Sequence, residues 1–145
     1  NQEHKAIDYA TANGLRDIIS ILTSDITETN ITGDTPLHQA CYNEQSEVVR
    51  ELLKNENVPI NSINDERNTP LVIACIRGNT LIANILLEAK ADPNIALLNG
   101  NTALHFASIW NNKYIAENLL KYNANINAQN EEGQTALIIA AQKRL

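Results

Sequence analysis

Two histidines are the side chains with the clearest capacity for chemistry. His38 and His105 each follow a threonine by three residues, in the segments TPLH and TALH. A histidine can act as a general acid or base near neutral pH, or it can ligate a metal ion. Val72 and Ile138 stand at the equivalent positions of two similar segments, so no chemistry that recurs along the chain depends on histidine. We therefore expect a structural role for both histidines.

Two cysteines are the next candidates. Cys41 and Cys75 occupy the same place in two successive segments, and neither has a C-x-x-C pattern or a His/Cys cluster around it. Stacked helices lie about 8 to 10 Å apart, which exceeds the Cα separation of about 7 Å that a disulfide tolerates. The sequence thus predicts two small buried thiols, which are compatible with a reducing cytosol.

The chain carries none of the common catalytic or cofactor-binding motifs. It contains no glycine-rich phosphate loop and no G-x-S-x-G, H-E-x-x-H or D-x-D-x-D-G segment. The carboxylates are scattered, with Glu47 and Glu51 one helical turn apart and Glu131 next to Glu132. This distribution is typical of solvated helix faces and loops. We predict that the chain is not an enzyme and that it uses no metal and no cofactor.

Charge and hydropathy narrow the possible partners and locations. The 145 residues carry a formal net charge of −6, and no block of Lys and Arg is present to neutralise phosphates. No apolar run reaches the roughly 18 residues that span a bilayer, and no signal-peptide pattern opens the chain. We expect a cytoplasmic or otherwise intracellular protein that binds neither nucleic acid nor membrane. The lack of Met and the end at AQKRL suggest a fragment of a longer protein.

One seven-residue segment recurs along the chain with a fixed period. The segment TPLHQAC begins at Thr35, and its relatives TPLVIAC, TALHFAS and TALIIAA begin at Thr69, Thr102 and Thr135. Successive threonines are 34, 33 and 33 residues apart. A period of this size indicates a repeat architecture.

Each copy of this segment predicts the start of a helix. The threonine hydroxyl can accept a hydrogen bond from the first turn, and Pro36 and Pro70 suit the first helical position. The helix is expected to end near Gly78 and Asn111, because Gly and Asn tolerate a left-handed backbone. Glu44 stands at the same position in another copy, and there we expect strain of about 1 kcal/mol.

A second helix follows in each copy, marked by apolar residues at i, i+1, i+4 and i+5. This spacing predicts a single apolar stripe that faces inward, against an antiparallel first helix. The residues of the stripe are Val48, Val49, Leu52 and Leu53, then Leu81, Ile82, Leu86 and Leu87, then Tyr114, Ile115, Leu119 and Leu120.

A polar stretch with a turn signal separates one copy from the next. The signals are TGDT, NGNT and EGQT, each with a glycine two residues before the threonine. Arg67 replaces this glycine in another copy, so we expect an altered turn there. Since one unit cannot bury its apolar stripe alone, the units must stack.

These residues resemble the ankyrin repeat family. The resemblance rests on the TPLH and TALH segments, the paired leucines that close each second helix, and ADPN at 91–94. It implies an all-α ankyrin-repeat solenoid of stacked antiparallel helix pairs joined by β-hairpin-type loops. It also implies that the histidines bond the threonine and nearby loop backbone, and that Asn61, Asn94 and Asn127 tie the loops through backbone hydrogen bonds. In some animal members a similar Asn is hydroxylated.

The resemblance covers nearly the whole chain, which we expect to form a single domain over residues 1–145. A degenerate N-terminal repeat is predicted at 4–34 and a partial repeat at 135–145. The full repeats are predicted at 35–68, 69–101 and 102–134.

In the family, the residues just before the turn between the two helices line a concave groove. They are Tyr42 and Asn43, Ile76 and Arg77, and Ile109 and Trp110. Trp, Tyr and Arg dominate interface energetics, and exposed apolar rows mark interaction sites. Trp110 is therefore the expected anchor for a partner. The alternative is that these side chains lie flat on neighbouring helices and cap the core.

The loop tips should frame the same groove. The tip residues predicted to bind a partner are Glu66, Asn68, Leu98, Asn99 and Asn101. Leu97 and Leu98 are unusual at a polar tip, so either the loop folds inward or a partner covers them. The surrounding acidic residues suggest a partner with a basic surface.

We interpret the sequence as a monomeric, non-enzymatic protein–protein interaction module that binds a partner protein through the groove and the loop tips. Two alternatives stay open. The chain could be the partner-recruiting segment of a larger enzyme or host-directed effector, or it could be a structural spacer that binds nothing.

Overall fold

The computed structural model describes residues 26–143, so the predicted N-terminal repeat is covered only from Ile26 onward and Leu145 lies outside the description. Seven α-helices occupy the described residues, in three antiparallel pairs and a final single helix. They are α1 (Pro36–Tyr42), α2 (Ser46–Leu53), α3 (Pro70–Arg77), α4 (Thr80–Glu88), α5 (Ala103–Ile109), α6 (Lys113–Lys121) and α7 (Ala136–Lys143). The first helices α1, α3, α5 and α7 pack in one layer and the second helices α2, α4 and α6 in another. The predicted all-α solenoid is confirmed.

The first helices begin at the predicted threonines. The hydroxyl of Thr35 accepts from the amide of His38, and that of Thr69 accepts from the amide of Val72. The second helices α4 and α6 are capped by asparagine instead, and the side chain of Asn79 accepts from the amide of Ile82 at 3.0 Å. Each such cap satisfies an amide that would otherwise lack a partner in the first turn, so these caps fix where the helices start.

The turn between the two helices of a repeat uses a left-handed residue in each of the three pairs that the structure describes. The φ angle is 54° at Glu44, 68° at Gly78 and 53° at Asn111. The backbone conformation expected at all three positions is therefore present. A left-handed residue with a Cβ costs about 1 kcal/mol, and this cost falls on Glu44.

Four loop tips join successive repeats, and we number them tip 1 (30–34), tip 2 (64–68), tip 3 (97–101) and tip 4 (130–134). In each tip the amide of the first residue donates to the carbonyl of the fifth, and the amide of the fourth donates to the carbonyl of the first. These are hairpin-type turns, and residues 26–143 contain no β-strand.

The expectation of an altered turn at Arg67 was wrong. Arg67 has a φ of 67°, close to the 74° of Gly33 and Gly100, and its amide donates to the carbonyl of Asn64 at 3.0 Å. The hydrogen bonds of the turn therefore hold an arginine in the conformation that glycine adopts in the other tips.

A single aliphatic core runs through the stack. Its most buried large side chains include Leu37, Leu52, Leu71, Ile73, Ile82, Leu86, Leu87, Ile115 and Leu119. The predicted stripe of the second helices is narrower than expected, because Leu81 is 49% exposed and Tyr114 is 67% exposed. Their counterpart Val48 is buried. Among residues 26–143 no helix combines the length and apolar character needed to cross a bilayer.

Candidate protein-binding surface

His38 links its own helix cap to the next loop tip. Its Nδ1 atom accepts from the amide of Thr35 at 3.1 Å, and its Nε2 atom donates to the carbonyl of Asn68 at 3.0 Å. An amide can only donate and a carbonyl can only accept, so the neutral ring carries its proton on Nε2. Burial lowers the pKa of His38, although the bond to Asn68 opposes this shift. The neutral ring is thus a structural connector.

His105 repeats the arrangement one junction further along. Its Nδ1 atom accepts from the amide of Thr102 at 3.0 Å, and its Nε2 atom contacts the carbonyl of Gln134 at 2.8 Å. Both histidines are buried and both ring nitrogens of each are occupied, as the structural role predicts. Nothing in this geometry leaves a ring nitrogen for catalysis or for a metal.

The cysteines are also inaccessible for chemistry. Cys41 and Cys75 are free, and both are fully buried in the core. Burial disfavours the thiolate, so it raises the pKa of Cys75 to about 12 and that of Cys41 further. Both thiols therefore act as small core side chains.

The asparagines expected to tie the loops connect adjacent repeats. The side-chain oxygen of Asn61 accepts from the amide of Asp92 at 2.9 Å, and that of Asn94 accepts from the amide of Asn125 at 2.7 Å. The third predicted residue, Asn127, is exposed. The structural role is thus present at two positions, and it acts between successive repeats.

The C-terminal ends of the first helices face the loop tips, and together they form the surface that we name the groove face. Tyr42 connects the end of α1 to tip 2, because its hydroxyl donates to the Glu66 carboxylate at 2.8 Å. Gln134 of tip 4 donates in the same way to Gln142 of α7 at 3.0 Å. Burial, followed by the bond to Glu66, raises the pKa of Tyr42.

An ion pair occupies the middle of the groove face. Arg77 lies 3.3 Å from the Glu44 carboxylate of the preceding repeat, and Asn79 also contacts this carboxylate. Asn43 is exposed beside Glu44, whereas Ile76 is half-buried and packs against the core. Tyr42 is half-buried in the same way, so these two side chains combine core packing with partial exposure.

Trp110 is the most exposed aromatic side chain of the groove face. It follows α5 and is 57% exposed, while its neighbour Ile109 is half-buried. Both residues line an open depression of about 780 Å³ between the ends of α5 and α7, with Ser108, Asn111, Ala140 and Lys143. More than half of the surface of Trp110 is therefore open to a partner.

The two leucines of tip 3 have opposite environments. Leu97 turns inward and is 4% exposed, whereas Leu98 is 56% exposed. The loop therefore folds inward at Leu97, whereas Leu98 is exposed to solvent. Asn99 is exposed in a left-handed conformation with a φ of 61°.

The remaining predicted tip residues differ in how far they are exposed to solvent. Glu66 is exposed, while Asn101 is half-buried and accepts from the Asn130 side chain at 3.0 Å. Asn68 is only 9% exposed, and its backbone carbonyl is the acceptor for His38. Asn68 therefore supports the tip from beneath.

Four lining residues of the depression were not among the predicted site residues, namely Ser108, Asn111, Ala140 and Lys143. Ser108 and Ala140 lie slightly before the helix ends, and their small size leaves the space beside Trp110 open. Their signal in the sequence was weak, because a small residue inside a helix usually indicates close packing. In residues 26–143 no group of three or more His, Cys, Asp or Glu side chains could hold a metal ion.

Comparison with known proteins agrees with this architecture. A family model described as ankyrin repeats in three copies matches residues 4–97 and 90–145. The chain is also 39% identical over 61 residues to the human SMC5-SMC6 complex localization factor protein 1, and 38% identical over 61 residues to its Bos taurus counterpart. Each match covers 42% of this chain and 6% of the relative, so the chain spans only a small part of these proteins. The family model matches most of the chain, and the stacked helix pairs and histidine caps agree with it. The chain therefore belongs to the ankyrin repeat family.

Proposed function

We propose that this chain is a non-enzymatic module that binds a partner protein through the groove face, with Trp110 as its anchor. Ankyrin repeats are generally protein-interaction modules, which is the starting point for the proposal. The observation that carries it is the 57% exposure of Trp110 at the rim of an open depression. A large aromatic side chain in such a place gains free energy when a partner removes it from water.

The surface available to the partner combines apolar and charged side chains. Ile76, Ile109, Trp110 and Leu98 supply apolar area, and the exposed carboxylate of Glu66 lies at the edge. Arg77 and Asn43 supply polar contacts, with Asn99 and Asn101 at tip 3. Because the chain carries a net charge of −6, we propose a partner whose contact surface is basic. The exposed apolar side chains imply that this surface also carries one or more apolar side chains.

The groove face is preorganised, which favours binding. Hydrogen bonds fix Tyr42 against Glu66 and Gln134 against Gln142, and an ion pair joins Arg77 to the preceding repeat. Little conformational entropy is lost when such a surface binds. The names of the two relatives describe a localization factor for a protein complex, a role that agrees with binding another protein.

The domain boundaries are part of the proposal. We propose one ankyrin-repeat domain over residues 1–145, with full repeats at 35–68, 69–101 and 102–134. If the chain is a recruiting segment within a larger enzyme or effector, the same groove face would recruit the substrate or host protein.

A selection from a random peptide library tests the proposal with two matched variants. Trp110→Ala removes the aromatic anchor, and Tyr114→Ala removes an aromatic side chain that is 67% exposed on the second-helix layer. We expect basic peptides with apolar residues, and about a thirtyfold loss of affinity in Trp110→Ala, since a central aromatic contributes about 2 kcal/mol.

The Tyr114→Ala variant should bind these peptides as the wild-type chain does. If no peptide binds, or if Trp110→Ala binds every selected peptide at wild-type affinity, the spacer alternative is supported and the proposal is wrong.

A further inference from the structure

The four loop tips are joined by backbone hydrogen bonds in two pairs. The amide of Asp65 in tip 2 donates to the carbonyl of Thr32 in tip 1 at 3.1 Å. In the same way, the amide of Glu131 in tip 4 donates to the carbonyl of Asn99 in tip 3 at 2.9 Å. Leu98 of tip 3 occupies the equivalent position, but within residues 26–143 its amide donates to no atom of tip 2. The junction between tips 2 and 3 thus lacks this bond.

A side-chain bond between the tips follows the same pattern. The amide group of Asn64 donates to the Asp34 carboxylate at 2.7 Å, which joins tips 1 and 2. That of Asn130 donates to the side chain of Asn101 at 3.0 Å, which joins tips 3 and 4. At the middle junction the equivalent residue is Leu97, whose side chain has no donor. A second bond is therefore missing there.

The histidine connector is the third bond of each junction, and it too is missing in the middle. His38 bonds the carbonyl of Asn68 in tip 2, and His105 bonds the carbonyl of Gln134 in tip 4. In the repeat between them the residue is Val72, which cannot bond tip 3. The two bonds between tips and the bond from the histidine are thus present at two junctions. All three are absent at the junction between them.

Arg67 gives a physical reason for the missing backbone bond. A Cβ atom built on Gly33 would lie 3.1 Å from the amide nitrogen of Asp65, and one built on Gly100 would lie 2.9 Å from that of Glu131. Glycine is therefore what allows a tip to approach its neighbour so closely. Arg67 has the same left-handed backbone but carries a Cβ, so tip 3 cannot approach tip 2 in this way.

The loop segments that precede tips 2 and 3 remain tied to each other. Asn61 accepts from the amide of Asp92 across the middle junction at 2.9 Å, as Asn94 does for Asn125 at the next. Helices α3 and α5 also pack against each other across it. The missing bonds are thus confined to the tip edge.

We propose that the array bends at the junction between tips 2 and 3, with the tied loops of Asn61 and Asp92 as the pivot. Tips 1 and 2 move as one unit and tips 3 and 4 as another, so the tip edge of the groove face opens and closes at its middle. This property belongs to the chain whether or not the groove face binds a partner.

Distance distributions between nitroxide labels test the proposal on the full 145-residue chain. One label pair is placed on the tips with Ile31→Cys and Glu131→Cys, and both sites are exposed. A second pair, Glu51→Cys with Glu117→Cys, lies on α2 and α6 of the other layer. The native thiols are fully buried, so labelling is directed to the introduced cysteines. We expect a broad distribution for the tip pair and a narrow one for the helix pair.

A variant that restores the missing connector is the decisive comparison. Val72→His supplies the ring that would bond the carbonyl of Asn101, as His38 and His105 do at their junctions. We expect it to narrow the tip-pair distribution, shift it to shorter distance and leave the helix pair unchanged. Ile138→His is the matched control, because it adds the same ring at the equivalent position of α7, away from the junction between tips 2 and 3. This control should leave the tip-pair distribution broad.

A second variant keeps the test decisive if histidine at position 72 disturbs the core. Arg67→Gly removes the Cβ that holds tip 3 away, and it should also narrow the tip-pair distribution. A narrow wild-type distribution that neither variant changes would overturn the proposal. So would an equal narrowing in Ile138→His.

Discussion

The Nε2 atom of His38 lies 3.0 Å from the backbone oxygen of Asn68, thirty residues further along the chain. The opposite ring nitrogen accepts from the amide of Thr35. One side chain therefore caps a helix and fastens the next loop tip, but only while the ring is neutral, because a proton on Nδ1 would face an amide hydrogen. The stability of the array depends on the protonation of this ring.

The free energy of unfolding should fall as the pH decreases below about 6.5. The pKa of His38 is lowered by burial in the folded state, whereas in the unfolded chain it is near 6.5. The unfolded chain then binds more protons in this range, so the contribution of His38 is complete above pH 6.5 and is lost as the pH falls through the folded pKa. Urea titrations at several pH values would measure this slope.

The His38→Ala variant isolates this contribution. It should be less stable than the wild-type chain near pH 7.5, because it loses buried hydrogen bonds worth about 1 kcal/mol each. The difference between the two proteins should shrink as the pH falls. A difference that stays constant or grows between pH 7.5 and pH 5 would contradict the role assigned to the neutral ring.

The two thiols should be unreactive in the folded chain. Burial raises the pKa of Cys75 to about 12 and that of Cys41 further, and the thiolate is the reactive form. A chromogenic disulfide reagent at neutral pH should detect essentially no thiol in the native protein and both thiols in guanidinium chloride. Rapid reaction of one thiol per native chain would show that the core opens near that cysteine.

Gly100→Ala should destabilise the chain more than Gly133→Ala. Both glycines have φ near 75°, so either alanine bears a left-handed cost of about 1 kcal/mol. At Gly100 the new methyl group would also meet the backbone of Glu131 at 2.9 Å, whereas at Gly133 nothing lies within 4 Å. We expect this contact to add roughly 1 to 3 kcal/mol, as overpacking does elsewhere. Urea unfolding of the two variants measures the difference, and equal stabilities would contradict the close approach of tips 3 and 4.

The elements that local chemistry determines were predictable from the sequence. Thr35 and Thr69 start helices because a hydroxyl and a following proline favour that geometry wherever they occur. The period of the chain then placed Trp110 and its counterparts at the ends of the first helices, and the resemblance to the ankyrin repeat family implied that these residues line a groove. The helix starts needed only residues that are close together in the sequence.

The features that depend on the hydrogen bonds of a loop tip or on a neighbouring repeat were predicted less well. Arg67 adopts the glycine conformation because hydrogen bonds within its tip outweigh a cost of about 1 kcal/mol. Tyr114 is exposed although its counterpart Val48 is buried, because the packing of adjacent repeats decides which position of the stripe is covered. The same limit applies to Asn68, which the sequence placed on the surface and the fold places beneath it.

The bonds missing between tips 2 and 3 correspond to three residue differences in the sequence. Val72, Leu97 and Arg67 each depart from the residue found at the other junctions. Separately they are ordinary substitutions. Only the fold shows that all three lie at the same junction.

Acrylamide quenching of Trp110 fluorescence tests the central claim most directly, because Trp110 is the only tryptophan in the chain. The measurement is made on the free chain and on the chain saturated with a library-selected peptide. We expect strong quenching in the free chain, in line with the 57% exposure of the residue. Binding should decrease the quenching constant several-fold. Quenching that is weak in the free chain, or that bound peptide leaves unchanged, would contradict the proposal that Trp110 anchors the partner.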